Sequence, residues 1–207
     1  MDGITAQAFS GPGEQIDPFS DGLPTLESPR LRLRAFAARD VAEVYRLYAD
    51  REAVRFGYAP PMRNLDDAMR VIEETIELAR NRTVFHFGVA DREHDLVVGH
   101  ATLFRWEREQ RRAEIGYSIR RDRWGSGLGT EAAAALIAFA FARLDLRRIE
   151  ADADPRNVGS IRVLEKLGFV REGFLRERWD IGGEIQDAVL FGLLRREWQG
   201  LPSPGGP

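Results

Sequence analysis

The stretch that decides the fold is Arg123-Trp-Gly-Ser-Gly-Leu-Gly-Thr-Glu131, in which glycine occupies three alternate positions. It lies between a strand-like run, Ala113 to Arg120, and an apolar run, Ala132 to Leu144. This order predicts a strand, a tight loop and a helix start, because glycine allows sharp turns and close approach to a ligand. The first N–H groups of a helix lack intrahelical partners, so such a turn can hold a phosphate or diphosphate. A glycine turn without a ligand is the alternative, and this motif alone does not decide between them.

The composition describes an ordinary globular chain and excludes several kinds of chemistry. With 207 residues, 43% hydrophobic and 30% charged, we expect one domain with a full core. The net charge of −3 is small and both signs are interspersed, so nucleic acid is not an expected partner. The absence of cysteine excludes disulfides, thiolate metal sites and a cysteine nucleophile. No signal-peptide pattern or bilayer-length apolar run is present, so we expect a cytoplasmic protein without a membrane partner.

Apolar periodicity predicts the element order β-α-α-β-β-β-α-β-α-β-β. Asp40, with Glu43 three residues on, is the predicted N-cap of the first helix, and Asn64 is that of the second. Gly182-Gly183 predicts a hairpin between the last two strands. The order predicts an α/β (α+β) fold, with a mixed central sheet of about seven strands flanked by about four helices.

The distribution of glycine and proline sets the expected domain limits. Residues 1–24 contain seven of them without an apolar period, which predicts a flexible N-terminal leader. Residues 25–200 form the expected domain, and residues 201–207 the expected frayed tail.

Two groups of polar residues fall on predicted strands. Glu114, Gly116 and Ser118 share the face opposite Ile115, Tyr117 and Ile119, so a carboxylate lies beside small residues that leave room for a ligand. Glu150, Asp152 and Asp154 form an acidic face that could attract a cationic substrate, and a charged strand edge is the alternative.

The three histidines, His86, His94 and His100, lack metal-ligand spacing, so we expect no metal site. His86 and His100 lie on predicted strands and could act through water. A packed or surface histidine is the alternative for each.

Three segments in order resemble one known family. They are the strand that runs into the glycine loop, then Asn157-Val-Gly-Ser160, and then Glu165-Lys-Leu-Gly-Phe169. Together they resemble the GCN5-related N-acetyltransferases, and the Glu114-Ile-Gly-Tyr117 run is similar to the RimJ/RimL-like subgroup that acetylates ribosomal-protein N-termini. The resemblance covers roughly residues 28 to 198.

The resemblance implies acetyl-CoA as cosubstrate, with no metal. In the family, loop amides hold the CoA diphosphate, the preceding strand lines the pantetheine arm, and the later Asn hydrogen-bonds pantetheine. Carried over, the cofactor-binding residues are Ser118, Ile119, Trp124, Gly125, Ser126, Gly127, Leu128, Gly129, Thr130 and Asn157. Two positions depart from the family pattern: Trp124 replaces the preferred Gln or Arg, and Leu164 replaces a Tyr that serves many relatives as general acid.

The reaction requires a neutral amine beside the thioester and a group that takes its proton. At pH 7 an α-amine of pKa about 8 is about one-tenth neutral, and a lysine amine of pKa about 10.4 far less. A protein N-terminus is therefore the first expected acceptor; a polyamine, aminoglycoside or amino acid is the alternative. Glu114 is the candidate base, or else a solvated strand carboxylate, and Ser160 can protonate the thiolate, or else bind local backbone. A non-catalytic CoA-binding module is the competing class of function, and a homodimer is compatible with the sequence.

Overall fold

The computed structural model describes Phe19 and residues 22–57 and 60–200. In this part of the chain eight strands and five α-helices form one domain. The strands are β1 (Leu26–Glu27), β2 (Leu31–Arg34), β3 (Val84–Asp91), β4 (Val97–Glu107), β5 (Arg112–Ile119), β6 (Arg148–Ala153), β7 (Val170–Ile181) and β8 (Glu184–Leu194). The helices are α1 (Val41–Ala49), α2 (Arg51–Val54), α3 (Leu65–Arg80), α4 (Leu128–Arg143) and α5 (Val158–Lys166).

The predicted leader and tail lie largely outside the described residues. Of residues 1–24, the structure describes Phe19 and residues 22–24, and residues 201–207 are not among those described. Phe19 is buried, and its ring stacks on that of Phe85 with 3.7 Å between centroids. This part of the predicted leader therefore contributes a side chain to the core.

The strands form a single sheet in the order β1-β2-β3-β4-β5-β6-β8-β7. All neighbours are antiparallel except β5 and β6, which are parallel. A parallel pair needs a long crossover, and α4 provides it. The predicted fold class is confirmed, with one strand and one helix more than expected. The additional elements are short: β1 has two residues, and α2 is a single turn capped by Asp50.

Helices cover both faces of the sheet. On one face, α4 and α5 pack against buried side chains such as Phe87 and Ile115, which belong to the main core. Helix α4 carries consecutive buried alanines, which allow its backbone to approach the sheet closely. On the other face, α1 and α3 pack through a smaller cluster that includes Val44 and Ile72. No helix in the described residues is both long and apolar enough to cross a membrane.

Asp40 is the N-cap residue of α1, as predicted, but its side chain does not bond to the helix. The side chain instead accepts from the Ala37 N–H at 2.8 Å and from both terminal nitrogens of Arg34 at 2.7 and 2.9 Å. Both partners of this ion pair are buried, and the hydrogen bonds from the guanidinium to Asp40 raise the pKa of Arg34. An unpaired charge on a buried arginine costs more free energy than an uncapped, exposed helix end, so the Asp40 carboxylate pairs with Arg34.

Replacement of Asp40 tests this assignment. The variant Asp40→Asn leaves the Arg34 guanidinium buried with only the half-exposed Asp95 as a charged partner. We expect the free energy of unfolding to fall by about 3 kcal/mol in urea denaturation at pH 7. Glu27→Gln is the control, because it breaks an exposed pair with Arg32 and should leave the transition nearly unchanged. Equal transitions for wild type and Asp40→Asn would contradict the assignment.

Candidate active site

The strands β5 and β6 separate to form a wedge. Their parallel ladder covers only three pairs, Arg112 with Arg148, Ala113 with Ile149, and Glu114 with Glu150. Beyond Glu114, β5 continues to Ile119 paired with β4, and β6 continues to Ala153 paired with β8. The strands therefore diverge towards their carboxyl ends. In open α/β sheets this is the position of ligand sites.

Main-chain groups line the β5 wall of this wedge. The Arg120 N–H donates to the Val98 carbonyl at 2.8 Å, so alternation along β5 directs the main chain of Ser118 towards β4. The main-chain groups of Tyr117 and the N–H of Ile119 accordingly face β6, where the ladder has ended, whereas the Ile119 carbonyl accepts from the Trp124 indole. Because unpaired main-chain groups in a protein interior are costly, this wall favours a ligand with amide groups of its own.

The glycine loop closes the wide end of the wedge. Gly125 and Gly127 have φ of 73° and 80°, a conformation that favours glycine. Helix α4 begins at Leu128, four residues before the predicted start, with Gly127 as its N-cap. No side chain caps this end, so the N–H groups of Leu128, Gly129 and Thr130 form an exposed first turn that suits an anion.

Trp124, at the position where the family pattern prefers Gln or Arg, fixes the start of the loop. Its indole Nε1–H donates to the Ile119 carbonyl at 2.6 Å. The ring is about half exposed. It therefore ties the loop to the end of β5 and presents an aromatic surface beside the glycines.

A buried carboxylate on α4, that of Glu131, fixes the position of the glycine loop through Arg30. Glu131 accepts from the Arg30 N–H at 2.7 Å, from the Arg30 Nε at 2.7 Å and from the Ser28 hydroxyl at 2.8 Å. Arg30 also donates to the Ser126 carbonyl at 2.9 Å. Burial alone would raise the pKa of Glu131, but the hydrogen bonds from Arg30 and Ser28 lower it. Sequence reasoning assigned no role to this pair, because its residues are 101 positions apart.

Three polar residues meet on the α5 side of the wedge. The Tyr117 hydroxyl lies 3.2 Å from both the carbonyl oxygen and the Oγ of Ser160. Asn157 accepts from the Ser160 N–H at 3.1 Å through its side-chain oxygen, which leaves its amide nitrogen for a ligand. Burial raises the pKa of Tyr117, so its phenol stays protonated. The sequence pattern placed Tyr117 on the face opposite Glu114 and assigned it no catalytic role. Leu164, which replaces the family's Tyr, is buried.

Glu114 lies on the opposite face of the sheet from Ser160. Its two oxygens accept from the Arg105 Nη1 at 2.9 and 3.0 Å. Gly116 and Ser118 are its neighbours on this face, as predicted. The two predicted catalytic side chains are thus not in contact, and the wedge is the passage between them.

The predicted acidic face of β6 is fully paired. Glu150 bonds to Arg112 and Arg148, with a shortest distance of 2.6 Å. Asp152 accepts from the Trp179 Nε1 at 2.9 Å. Asp154 is buried and bonds to Arg156. Each carboxylate has a partner within the fold.

The segment from Arg55 to Asn64, after α2, approaches the β7–β8 hairpin. Gln186 donates to the Arg55 carbonyl at 3.0 Å. Arg156 lies over the Phe56 ring at 5.5 Å and pairs with Glu184 at 2.8 Å. The segment after α2 therefore contacts the β7–β8 hairpin beside the end of β6. Tyr58 and Ala59, within this segment, lie outside the described residues.

His86 and His100 lie side by side on the Glu114 face, and His94 is in an exposed turn. In the described residues no three His, Asp or Glu side chains are grouped to hold a metal ion.

Comparisons with known proteins agree with this geometry. The family model described as "Acetyltransferase (GNAT) domain" matches residues 30–170. The N-acetyltransferase p20 of Bacillus licheniformis is 33% identical over 178 residues, which are 86% of this chain and 100% of that protein. The ribosomal protein uS5-alanine N-acetyltransferase of Escherichia coli is 32% identical over 123 residues, 59% of this chain and 63% of that protein. Mycobacterium smegmatis RimJ, solved in complex with CoA-disulfide, has a TM-score of 0.77 at 24% identity and covers 86% of this chain and 90% of that chain.

The hydrogen bonds of Glu131 with Arg30 and Ser28 predict that the stability of the protein depends on pH. The folded-state pKa of Glu131 is below its ordinary value of 4.5, so the stability that Glu131 contributes is complete above pH 4.5 and is lost as pH falls through the folded pKa. Glu131→Gln should unfold about 1–3 kcal/mol more easily than wild type at pH 7. The difference should shrink below pH 4.5, as measured by urea denaturation at several pH values. A difference that is constant from pH 7 to pH 3 would contradict this role.

Proposed function

Because the chain belongs to the GNAT family of acyl-CoA-dependent N-acetyltransferases, we propose that it acetylates a protein N-terminal amine with acetyl-CoA. The observation that carries the proposal is the wedge. One wall offers unpaired main-chain groups, the wide end offers an uncapped helix start, and polar side chains lie on both faces of the sheet.

The wedge and loop fit the two parts of CoA. The diphosphate suits the N–H groups from Gly125 to Thr130, since a helix start favours anions. The pantetheine arm contains amides, which pair with the Tyr117 carbonyl, with the Ile119 N–H and with the side-chain amide of Asn157. When bound, acetyl-CoA supplies an activated acyl carbonyl at the narrow part of the wedge.

The acceptor reaches the carbonyl from the α1/α3 face. This face carries Glu114 with Arg105, and the loops around Phe56 and Glu184 meet at its edge. A protein N-terminus is favoured over lysine because a far larger fraction of its amine is neutral at pH 7. The relative from Escherichia coli is an alanine N-acetyltransferase of ribosomal protein uS5, as its name states. Because an alanine side chain has no amine, this supports an α-amine as acceptor.

The remaining groups have separate roles across the wedge. The Tyr117 N–H faces the gap nearer its narrow part and can stabilise the oxyanion that forms when the amine attacks. Glu114 carries the negative charge that attracts an ammonium group. On the other face, Ser160 can donate to the sulfur as the C–S bond breaks. Tyr117 supports this step when its hydroxyl donates to the Ser160 Oγ, because the serine hydrogen is then free to turn to the sulfur.

A substrate panel tests the reaction and the acceptor class. We expect thiol release from acetyl-CoA with a peptide that has a free N-terminal alanine, and an acetyl group on its α-amine by mass spectrometry. The control is the same peptide with a formylated N-terminus and an internal lysine, which should react at least about 100-fold more slowly. Acetylation of spermidine alone would replace the proposed acceptor by a small amine. Binding of CoA without thiol release with any amine would favour a CoA-binding module.

Variants at Ser160 and Tyr117 test the leaving-group step. Ser160→Ala and Tyr117→Phe should each lower kcat about 10-fold, equivalent to about 1.4 kcal/mol, with the KM for acetyl-CoA changed less than about twofold. The double variant should be about as slow as each single variant, since both remove one hydrogen-bonded unit. Tyr45→Phe is the matched control, because the Tyr45 hydroxyl bonds to the Arg63 carbonyl away from the wedge. Multiplicative losses in the double variant would show that the two residues act separately.

A further inference from the structure

Two histidines lie on the α1/α3 face of the sheet, from which the acceptor approaches, and neither has a role in the proposed mechanism. The rings of His86 on β3 and His100 on β4 are 4.8 Å apart between centroids. His86 is bonded through Nε2 to the Tyr48 hydroxyl at 3.1 Å. The Nδ1 of His100 lies 3.3 Å from the Thr102 hydroxyl. Each ring is therefore oriented by a hydroxyl group.

The strand register places His100 next to the wedge. His100 is directly opposite Ser118, Thr102 is opposite Gly116, and Phe104 is opposite Glu114. Side chains at these positions share one face of the sheet. Since Gly116 has no side chain, only Ser118 lies on β5 between the His100 ring and the gap.

One nitrogen of His100 is left for a ligand. The Nδ1 of the ring lies 3.3 Å from the Thr102 hydroxyl, and the Nε2 has no hydrogen-bond partner among the described residues. It is not one of the fully buried, unpartnered side-chain atoms of these residues, of which Trp106 Nε1 is the sole example. With its proton on Nδ1, donated to Thr102, the ring carries a free lone pair on Nε2.

Glu114, the base expected from the sequence, differs from His100 in that its proton-accepting atoms are already bonded. The Arg105 guanidinium binds both of its oxygens, which are the atoms that would accept a proton. We propose that His100 Nε2, not Glu114, accepts the proton of the acceptor amine, directly or through one water. This inference rests on the proposed function and names the proton acceptor for it.

The proton balance of the step is simple. The ammonium group gives one proton to His100 Nε2, and the free amine nitrogen then attacks the thioester carbonyl to form the C–N bond. The C–S bond breaks, Ser160 gives its hydroxyl proton to the sulfur to form the CoA thiol, and the second proton from the nitrogen replaces the proton on Ser160. His100 returns its proton to solvent, so each turnover releases one proton.

The electrostatic surroundings keep the His100 ring in its neutral form. Burial, together with the nearby His86, lowers the pKa of His100 well below its ordinary value, and burial lowers the pKa of His86 to about 4. The other titratable or charged groups near this face are Tyr48 on α1, the Glu43–Arg120 pair and the Glu114–Arg105 pair. Both rings are therefore neutral at pH 7.

The test is the pH dependence of kcat/KM for an N-terminal-alanine peptide with an α-amine of pKa about 8. Wild type should vary less than about twofold between pH 6 and 7.5, because neutral His100 accepts the proton throughout. His100→Gln should be about 100-fold slower at pH 6.5 and should gain about tenfold per pH unit up to pH 8, since only neutral amine then reacts. His94→Gln, at an exposed histidine, should match wild type.

Two further measurements separate a role of His100 from a role of Glu114. Added imidazole should restore activity to His100→Ala at pH 6.5. Glu114→Gln should raise the KM for the amine, but its kcat/KM should not rise tenfold per pH unit. If His100→Gln does not fold, the wild-type profile decides: a tenfold rise of its kcat/KM per pH unit between pH 6 and 7.5 overturns the proposal. Equal profiles for wild type and His100→Gln also overturn it. Failure of wild type to acetylate any amine would instead refute the proposed function.

Discussion

The site depends on one interruption in the main-chain hydrogen bonding of the sheet. The parallel ladder of β5 and β6 ends at Glu114 and Glu150, although both strands continue. The Tyr117 side chain reaches across this gap to Ser160 on α5, and the strands stay apart. The fold thus retains unpaired donors and acceptors where a continuous sheet would have none. A ligand that carries amides in an extended chain completes the ladder.

The wedge also connects chemistry on two faces of the sheet. Ser160 and Tyr117 lie on the α4/α5 face, whereas Glu114 and His100 lie on the α1/α3 face. In the proposed mechanism, a carbonyl held between the strands is accessible to an amine from one face, while its sulfur is directed to the other. The proposed proton acceptor and proton donor then lie on different faces of the sheet.

The local parts of this architecture could be predicted from the sequence, and the long-range parts could not. Glycine spacing and apolar periodicity identified the loop, α4 and the alternation of Glu114 with Tyr117, because these signals lie within a few residues. The clamp of Arg30 on Glu131 joins residues 101 positions apart, and no local pattern encodes it. Asp40 has the sequence context of a helix cap, but the buried Arg34 takes its carboxylate. Tyr117 received no catalytic role, since the pattern gives the face on which it lies and not the position of its hydroxyl.

The most direct test of the central claim is amide hydrogen exchange, resolved by residue with NMR, in the presence and absence of CoA. Because Tyr117 and Ile119 face the wedge and Ser118 is bonded to β4, binding should slow exchange at the first two at least about tenfold. The amides of Leu128, Gly129 and Thr130 should slow with them, while Ser118 should change little. If CoA binds and leaves Tyr117, Ile119 and the start of α4 unprotected, the wedge is not the CoA site.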